Sequence, residues 1–251
     1  MIKFRDQFER FSLRGSCLWP VGSARLEEAM ASATKKLAPK QARSRDSFQK
    51  LLAAAREVVA EMGLEGATIP RIAARAGLSP GAIYRRFPDK DALLQAVVLK
   101  TLQESDDGTK SLLESEEVGN LSLEARAAWF VKGMVSTHRN HPGLMRTVLH
   151  YVLIHPDPKF RKKADILQDR SFRRIVDFFL QKRGEIAHPD PDIAVPLSLM
   201  MTGSTINAII DLNTFFSKNW APVAKDDQRL QHELTTALLA YLGVDRNDYS
   251  G

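Results

Sequence analysis

Cysteine is almost absent from this sequence. Cys17 is the only one in 251 residues, so no intramolecular disulfide can form, as expected for a reducing compartment. It lies in an irregular stretch with no base beside it and reads as an incidental thiol. Long apolar runs are scarce too. The longest candidate, from Ile193 to Phe216, is interrupted by Pro196, Asn207, Asp211 and Asn213, whereas a membrane span needs roughly 18 apolar residues in succession. The opening residues MIKFRDQFERFSLRG lack the apolar centre of a secretory signal. The expectation is a cytoplasmic protein with no membrane partner. Catalytic signatures are missing as well: there is no Gly-x-x-x-x-Gly-Lys loop, nucleophile elbow or Ser/His/Asp order. His138 and His141 stand three apart, but Asn140-His141-Pro142 breaks the helix that would align them, and no cysteine joins them. No metal, no cofactor and no catalysis are therefore expected.

What is present is charge, unevenly spread. The chain carries a formal +6. Residues 1–42 hold eight Lys/Arg against four Asp/Glu, residues 43–104 ten against seven, and residues 105–251 eighteen against nineteen. A basic front half on a neutral remainder suits a partner with a phosphate backbone. Residues 1–42 show no sustained period and read as an N-terminal basic extension, partly ordered at most. Pro39 to Arg45 reads as a basic arm, with Arg43 and Arg45 able to enter a minor groove; a solvated linker is the alternative.

The most informative stretch is TIPRIAARAGLSPGAIYRRF, residues 68–87. Thr68 is placed to cap a first helix with Pro70 in its opening turn. Ile69, Ile72, Ala73 and Ala76 then form one apolar stripe at i, i+3, i+4, i+7. Gly77 suits the left-handed residue that ends a helix. Ser79 and Pro80 fit the cap and first position of a second helix, and Leu78 with Ile83 can form a hydrophobic staple. Ile83 and Phe87 face inward; Gly81, Ala82, Tyr84, Arg85 and Arg86 face outward. Small residues permit close backbone approach, and arginine grips guanine edges or phosphates. The segment reads as a helix-turn-helix aimed at DNA, or else as a plain amphipathic hairpin with a solvated basic end.

The flanks favour the first reading. Phe48, Leu51, Leu52, Ala55, Val59 and Met62 mark a preceding helix that ends at Gly63, and Asp89 can cap a following helix with Leu93, Leu94, Val97 and Val98. From Arg45 to about Leu102 the order of Ala53, Ala54, Val58, Gly63, Thr68, Ile72, Ala73, Ala76, Gly77, Leu78, Ser79, Gly81, Ile83, Tyr84, Phe87, Lys90, Leu93 and Leu94 resembles the N-terminal domain of the TetR family of bacterial transcriptional regulators. Val58 and Arg86 depart from it, each standing where many members carry an aromatic or, at 86, a histidine. The resemblance implies that Ser79, Pro80, Gly81, Ala82, Arg85 and Arg86 face bases or phosphates, and that Thr68, Arg71, Tyr84 and Lys90 anchor phosphates.

Beyond residue 104 the pattern is helical throughout. SDDGTK and ESEEVGN read as a loop or broken helix. Helices follow at Leu123 to Arg139, Gly143 to Ile154 and Lys159 to Arg183. Asp192 to about Ser217 is apolar on nearly every side, so it should be buried all round; Asp227 to Leu242 has a cleaner stripe. The fold class is all-α: a helix-turn-helix domain over residues 43–104, then a larger helical effector-binding and dimerisation domain over residues 105–251. In the resembled family the last long helices form a homodimer, so the operator in double-stranded DNA should be near-palindromic. That resemblance also implies a small-molecule effector, with Trp129, Phe130, Met134, His150, Tyr151 and Asn207 as its candidate wall. The expected role is a dimeric repressor released by that effector. An architectural nucleoid protein without effector, and a protein–protein adaptor on the same fold, stay open.

Overall fold

A computed structural model describes residues 39–140, 144–211 and 225–244; the expectations for residues 1–38, Cys17 among them, lie outside it. The described residues are helical and contain no strand. Helix α1 runs Pro39–Gly66, with a backbone break at Gly63 (φ 68°) that only a residue without Cβ takes easily. Residues 39–45 thus belong to α1 and are not an extended arm, because the first helix simply continues backwards through them. Helix α2 (Ile69–Ala76) ends at Gly77 in the left-handed conformation. There Leu78 N–H reaches Ala73 O and Gly77 N–H reaches Ala74 O, which satisfies the last carbonyls. Helix α3 (Pro80–Tyr84) is capped by Ser79, whose Oγ accepts from Ala82 N–H at 3.2 Å. Asp89 accepts from Ala92 N–H at 2.7 Å and opens α4 (Lys90–Leu113).

Helix α4 corrects one expectation. It passes unbroken through Ser105-Asp106-Asp107-Gly108-Thr109, which reads as a loop in sequence. The reason is tertiary. Asp106 is 1% exposed and forms ion pairs with Arg170 at 2.6 Å and Arg174 at 3.0 Å, both on α8 (Pro158–Leu180). The hydroxyl of Thr109 bonds back to Ser105 O. A stretch with poor helix propensity is held helical by the charges facing it.

The body adds a short α5 (Glu116–Gly119), α6 (Leu123–Asn140), α7 (Leu144–Ile154), α8, α9 (Pro191–Ile206) and α10 (Asp227–Tyr241). A π-helical segment, Asn207–Asp211, continues α9. Arg126 fixes the base of α6. Its side chain is 2% exposed and donates to the carbonyls of Leu121, Gly119 and Phe178 and to the Gln181 side chain. Its guanidinium also lies over the Phe178 ring at 3.9 Å. Burial depresses its pKa.

Two apolar cores result. One gathers α1 to α4 and also takes Leu144, Val148, Tyr151 and Val152 from α7 and Phe160 and Ala164 from α8. The other gathers Trp129, Phe130 and Val135 of α6, Ile175, Phe178 and Phe179 of α8, and residues of α9 and α10. The head core therefore recruits residues well beyond position 104. Helix α9 is not buried all round. Ala194, Val195, Leu199 and Ile206 pack inward, while Ile193, Leu197, Met200 and Met201 are 59%, 41%, 57% and 44% exposed. Pro191–Ile210 is long and apolar enough to span a membrane by length and composition, though its inner face is packed against the other helices.

Candidate nucleic-acid interface

The outer surface of α3 is built by local chemistry. Ile83 is fully buried and Phe87 nearly so, which fixes the rotation of the helix. That rotation leaves Ser79, Pro80, Gly81, Tyr84, Arg85 and Arg86 exposed, with Ala82 half-buried. A Cβ added at Gly81 would meet nothing within 4 Å, so the fold itself does not ask for glycine there. The small surface matters for whatever lies outside. Tyr84 is 55% exposed on the same surface.

The cations around α3 divide into free and committed ones. Arg85 is exposed and has no ion-pair partner among the described residues. Arg86 leans back, its guanidinium 5.9 Å from the centre of the Phe48 ring, which stacks on Phe87. Arg71 donates to Gly66 O at 3.0 Å, and Lys90 Nζ donates to Leu64 O at 2.7 Å. Both cations therefore hold the carbonyl end of α1, where the helix dipole favours positive charge. Arg75 braces α2 against α1 through Glu61 at 2.7 Å and Glu57 at 3.1 Å. Thr68 adopts the capping backbone conformation, but its side chain makes no cap bond. Arg45 is exposed on α1; Arg43 lies in the same helix, its side chain outside the described residues.

Behind α3 the head is joined to the body at Asp91. The Tyr151 hydroxyl donates to Asp91 Oδ1 at 2.6 Å, and His155 Nε2 stands 3.2 Å from Oδ2. His155 Nδ1 accepts from Asp157 N–H at 3.1 Å, so the proton resides on Nε2 and is donated to Asp91. Gln95 adds a further donor at 2.9 Å. Sequence reasoning missed this cluster, because Asp91 and His155 are 64 positions apart and carry no motif.

Residues 51–97 match the family model for bacterial regulatory proteins of the tetR family, and residues 122–242 match that of the tetracyclin repressor-like C-terminal domain. The chain belongs to the TetR family. It is 37% identical over 79 residues to the HTH-type transcriptional regulator YvdT of Bacillus subtilis, covering 32% of this chain and 40% of that protein. It is 30% identical over 103 residues to the regulator BetI of Cronobacter sakazakii, covering 41% and 50%. The aligned part thus spans half or less of each relative. Among solved structures, the FadR regulator of Bacillus subtilis in complex with stearoyl-CoA superposes with a TM-score of 0.52 at 18% identity, covering 78% of this chain and 97% of that one. The TetR fold accordingly extends over the described body.

Within this TetR-type body the six residues expected around an effector do not form one group. Trp129 and Phe130 are buried in the body core, and Met134 is half-buried beside Gly203 of α9. Asn207 opens the π-helical segment with its Oδ1 buried and unpartnered. His150 is exposed. Tyr151 belongs to the Asp91 junction, with burial and the Asp91 carboxylate holding its pKa far above the usual phenol range.

Proposed function

We propose that this chain is a dimeric DNA-binding repressor whose hold on a near-palindromic operator is released by a small-molecule effector. The observation that carries the DNA reading is the outer face of α3. Small residues at its start, an exposed tyrosine and an unpaired Arg85 project from a helix whose rotation is locked by Ile83. Arg85 and Tyr84 would meet base edges and phosphates in a major groove, with Arg45 and Arg86 on neighbouring phosphates. Lys90, Arg71 and Thr68 lie alongside, the first two working through the donors not spent on α1.

The dimer reading rests on α9. Ile193, Leu197 and Met200 recur at i, i+4, i+7 along its open side, with Met201 adjoining. A second copy of α9 and α10 would cover that surface by two-fold symmetry and so present two reading heads. Such a role places the protein in the cytoplasm, on the nucleoid.

The test is selection of genomic fragments by the purified protein at fixed physiological salt, because phosphate contacts alone give salt-dependent, sequence-blind binding. One or a few near-palindromic sites, which silence a reporter promoter, support the repressor. Even enrichment across the genome would point to an architectural protein, and no enrichment to an adaptor.

A further inference from the structure

Among the described residues, four buried side-chain atoms have no hydrogen-bond partner: Trp129 Nε1, Thr137 Oγ1, Ser171 Oγ and Asn207 Oδ1. Buried polar atoms are nearly always paired, so each exception calls for an explanation. These four belong to three adjoining elements of the body. Helices α6 and α8 meet through bulky rings at one end, where Trp129 lies 5.8 Å from Phe178 and Phe130 lies 6.1 Å from Phe179. Two turns onward from Phe130 on the same face of α6 is Thr137. Two turns back from Phe178 on the same face of α8 is Ser171. The two helices thus pass from large rings to two small hydroxyls. Helix α9 lies against α6 where Gly203 faces Met134, and Asn207 is one turn further along that face.

Among the described residues, the formal charges buried in this body are already committed. Arg126 is spent on carbonyls and Gln181, and Asp106 on Arg170 and Arg174. His138, buried on α6, has a partner of its own. What stays uncommitted is one obligate donor (the Trp129 indole N–H), one acceptor (Asn207 Oδ1) and two hydroxyls that do either. We infer that these four groups bind an uncharged effector that both accepts and donates hydrogen bonds beside an apolar or aromatic framework. A carboxylate, phosphate or ammonium would lose its water and, among the described residues, find no uncommitted buried charge to pair with. This rests on the effector-responsive reading above and names the chemistry of its ligand. It also places the ligand where it can act. Ser171 lies between Leu167, packed on the head core, and Phe172, packed on the body core. Filling the site would therefore press on the helix shared by both.

The test uses three near-isosteric probes: benzamide (neutral, donor and acceptor), benzoate (anion) and benzamidinium (cation). In the full chain with Trp19→Phe and Trp220→Phe, Trp129 is the sole indole reporter. Benzamide should change its emission saturably, with benzoate and benzamidinium at least tenfold weaker. Thr137→Val with Ser171→Ala should weaken benzamide about tenfold, while Thr137→Ser, which keeps the hydroxyl, should not. Equal or tighter binding of a charged probe, a benzamide titration unmoved by the double substitution, or no response to any probe would each overturn the assignment. Fragment selection, run separately, keeps the two readings apart. Benzamide binding by a protein that selects no DNA removes the regulator and leaves the site. An operator released only by a charged compound does the reverse.

Discussion

Tyr151 of α7 donates its hydroxyl hydrogen to Asp91 in the first turn of α4, across 2.6 Å and 60 positions of sequence. That bond, with His155 beside it, is a polar tie between the helical body and the element that carries the reading helix. The rings of Tyr151, His155 and Phe160 pack together at 4.6–5.5 Å, so the tie sits on a stiff base.

Tyr151→Phe keeps the ring and deletes the bond. The expected cost is about 1–3 kcal/mol of unfolding free energy, since a hydrogen bond to a charged acceptor is lost. A urea melt measures it, and an unchanged midpoint would show that the tie contributes nothing to stability. Because the ring contacts survive, operator affinity should fall in the same variant while helix content stays the same by circular dichroism.

Asp91 gives a pH signature. Burial tends to raise its pKa, but hydrogen bonds from Tyr151, Gln95 and His155 outweigh that and hold it below the usual carboxylate range. A carboxyl depressed in the folded state stabilises above its unfolded pKa of about 4, and that contribution disappears as pH falls through the lower folded value. Wild type should therefore lose stability below about pH 4 more steeply than Asp91→Asn. Parallel acid limbs in a pH series of thermal melts would count against the assignment.

Asp106→Asn tests the hold of α4 on α8. The carboxylate is buried while Arg170 and Arg174 are 43% and 32% exposed, so the arginines can turn to water and the loss is smaller than for a fully buried pair. About 1–3 kcal/mol is expected, read from urea midpoints. Hydrogen exchange should rise first at residues 105–113, whose helicity depends on that carboxylate.

Arg85→Ala should weaken binding to a selected operator by about 1–3 kcal/mol. Arg75→Ala should leave it nearly unchanged, because Arg75 is occupied by Glu57 and Glu61 on a surface where such pairs contribute little to stability. Electrophoretic titration of both variants at one salt concentration separates a base-reading arginine from a bracing one. Equal losses would remove the distinction.

The reading head was legible in the sequence because its signals are local. Gly77, Ser79 and Asp89 cap helices within a few residues of themselves, and the spacing of Ile72, Ile83 and Phe87 sets which side is buried. Charge and capping rules do not need to know what is far away. Where the answer lay in a distant partner, the sequence read differently. Residues 105–110 look like a loop until Arg170 and Arg174 are placed opposite Asp106. Tyr151 looks like a pocket residue until Asp91 is beside it. Lys90 and Arg71 read in sequence as phosphate anchors alone; the structure adds that each also donates to a carbonyl at the end of α1, Leu64 for Lys90 and Gly66 for Arg71. Composition alone makes α9 a helix apolar on nearly every side; packing decides that one side meets the bundle and the other is left open. Periodicity and caps specify which elements form. Pairings between residues 60 or more positions apart exist only once the chain has closed, and they decide how the head is tied to the body.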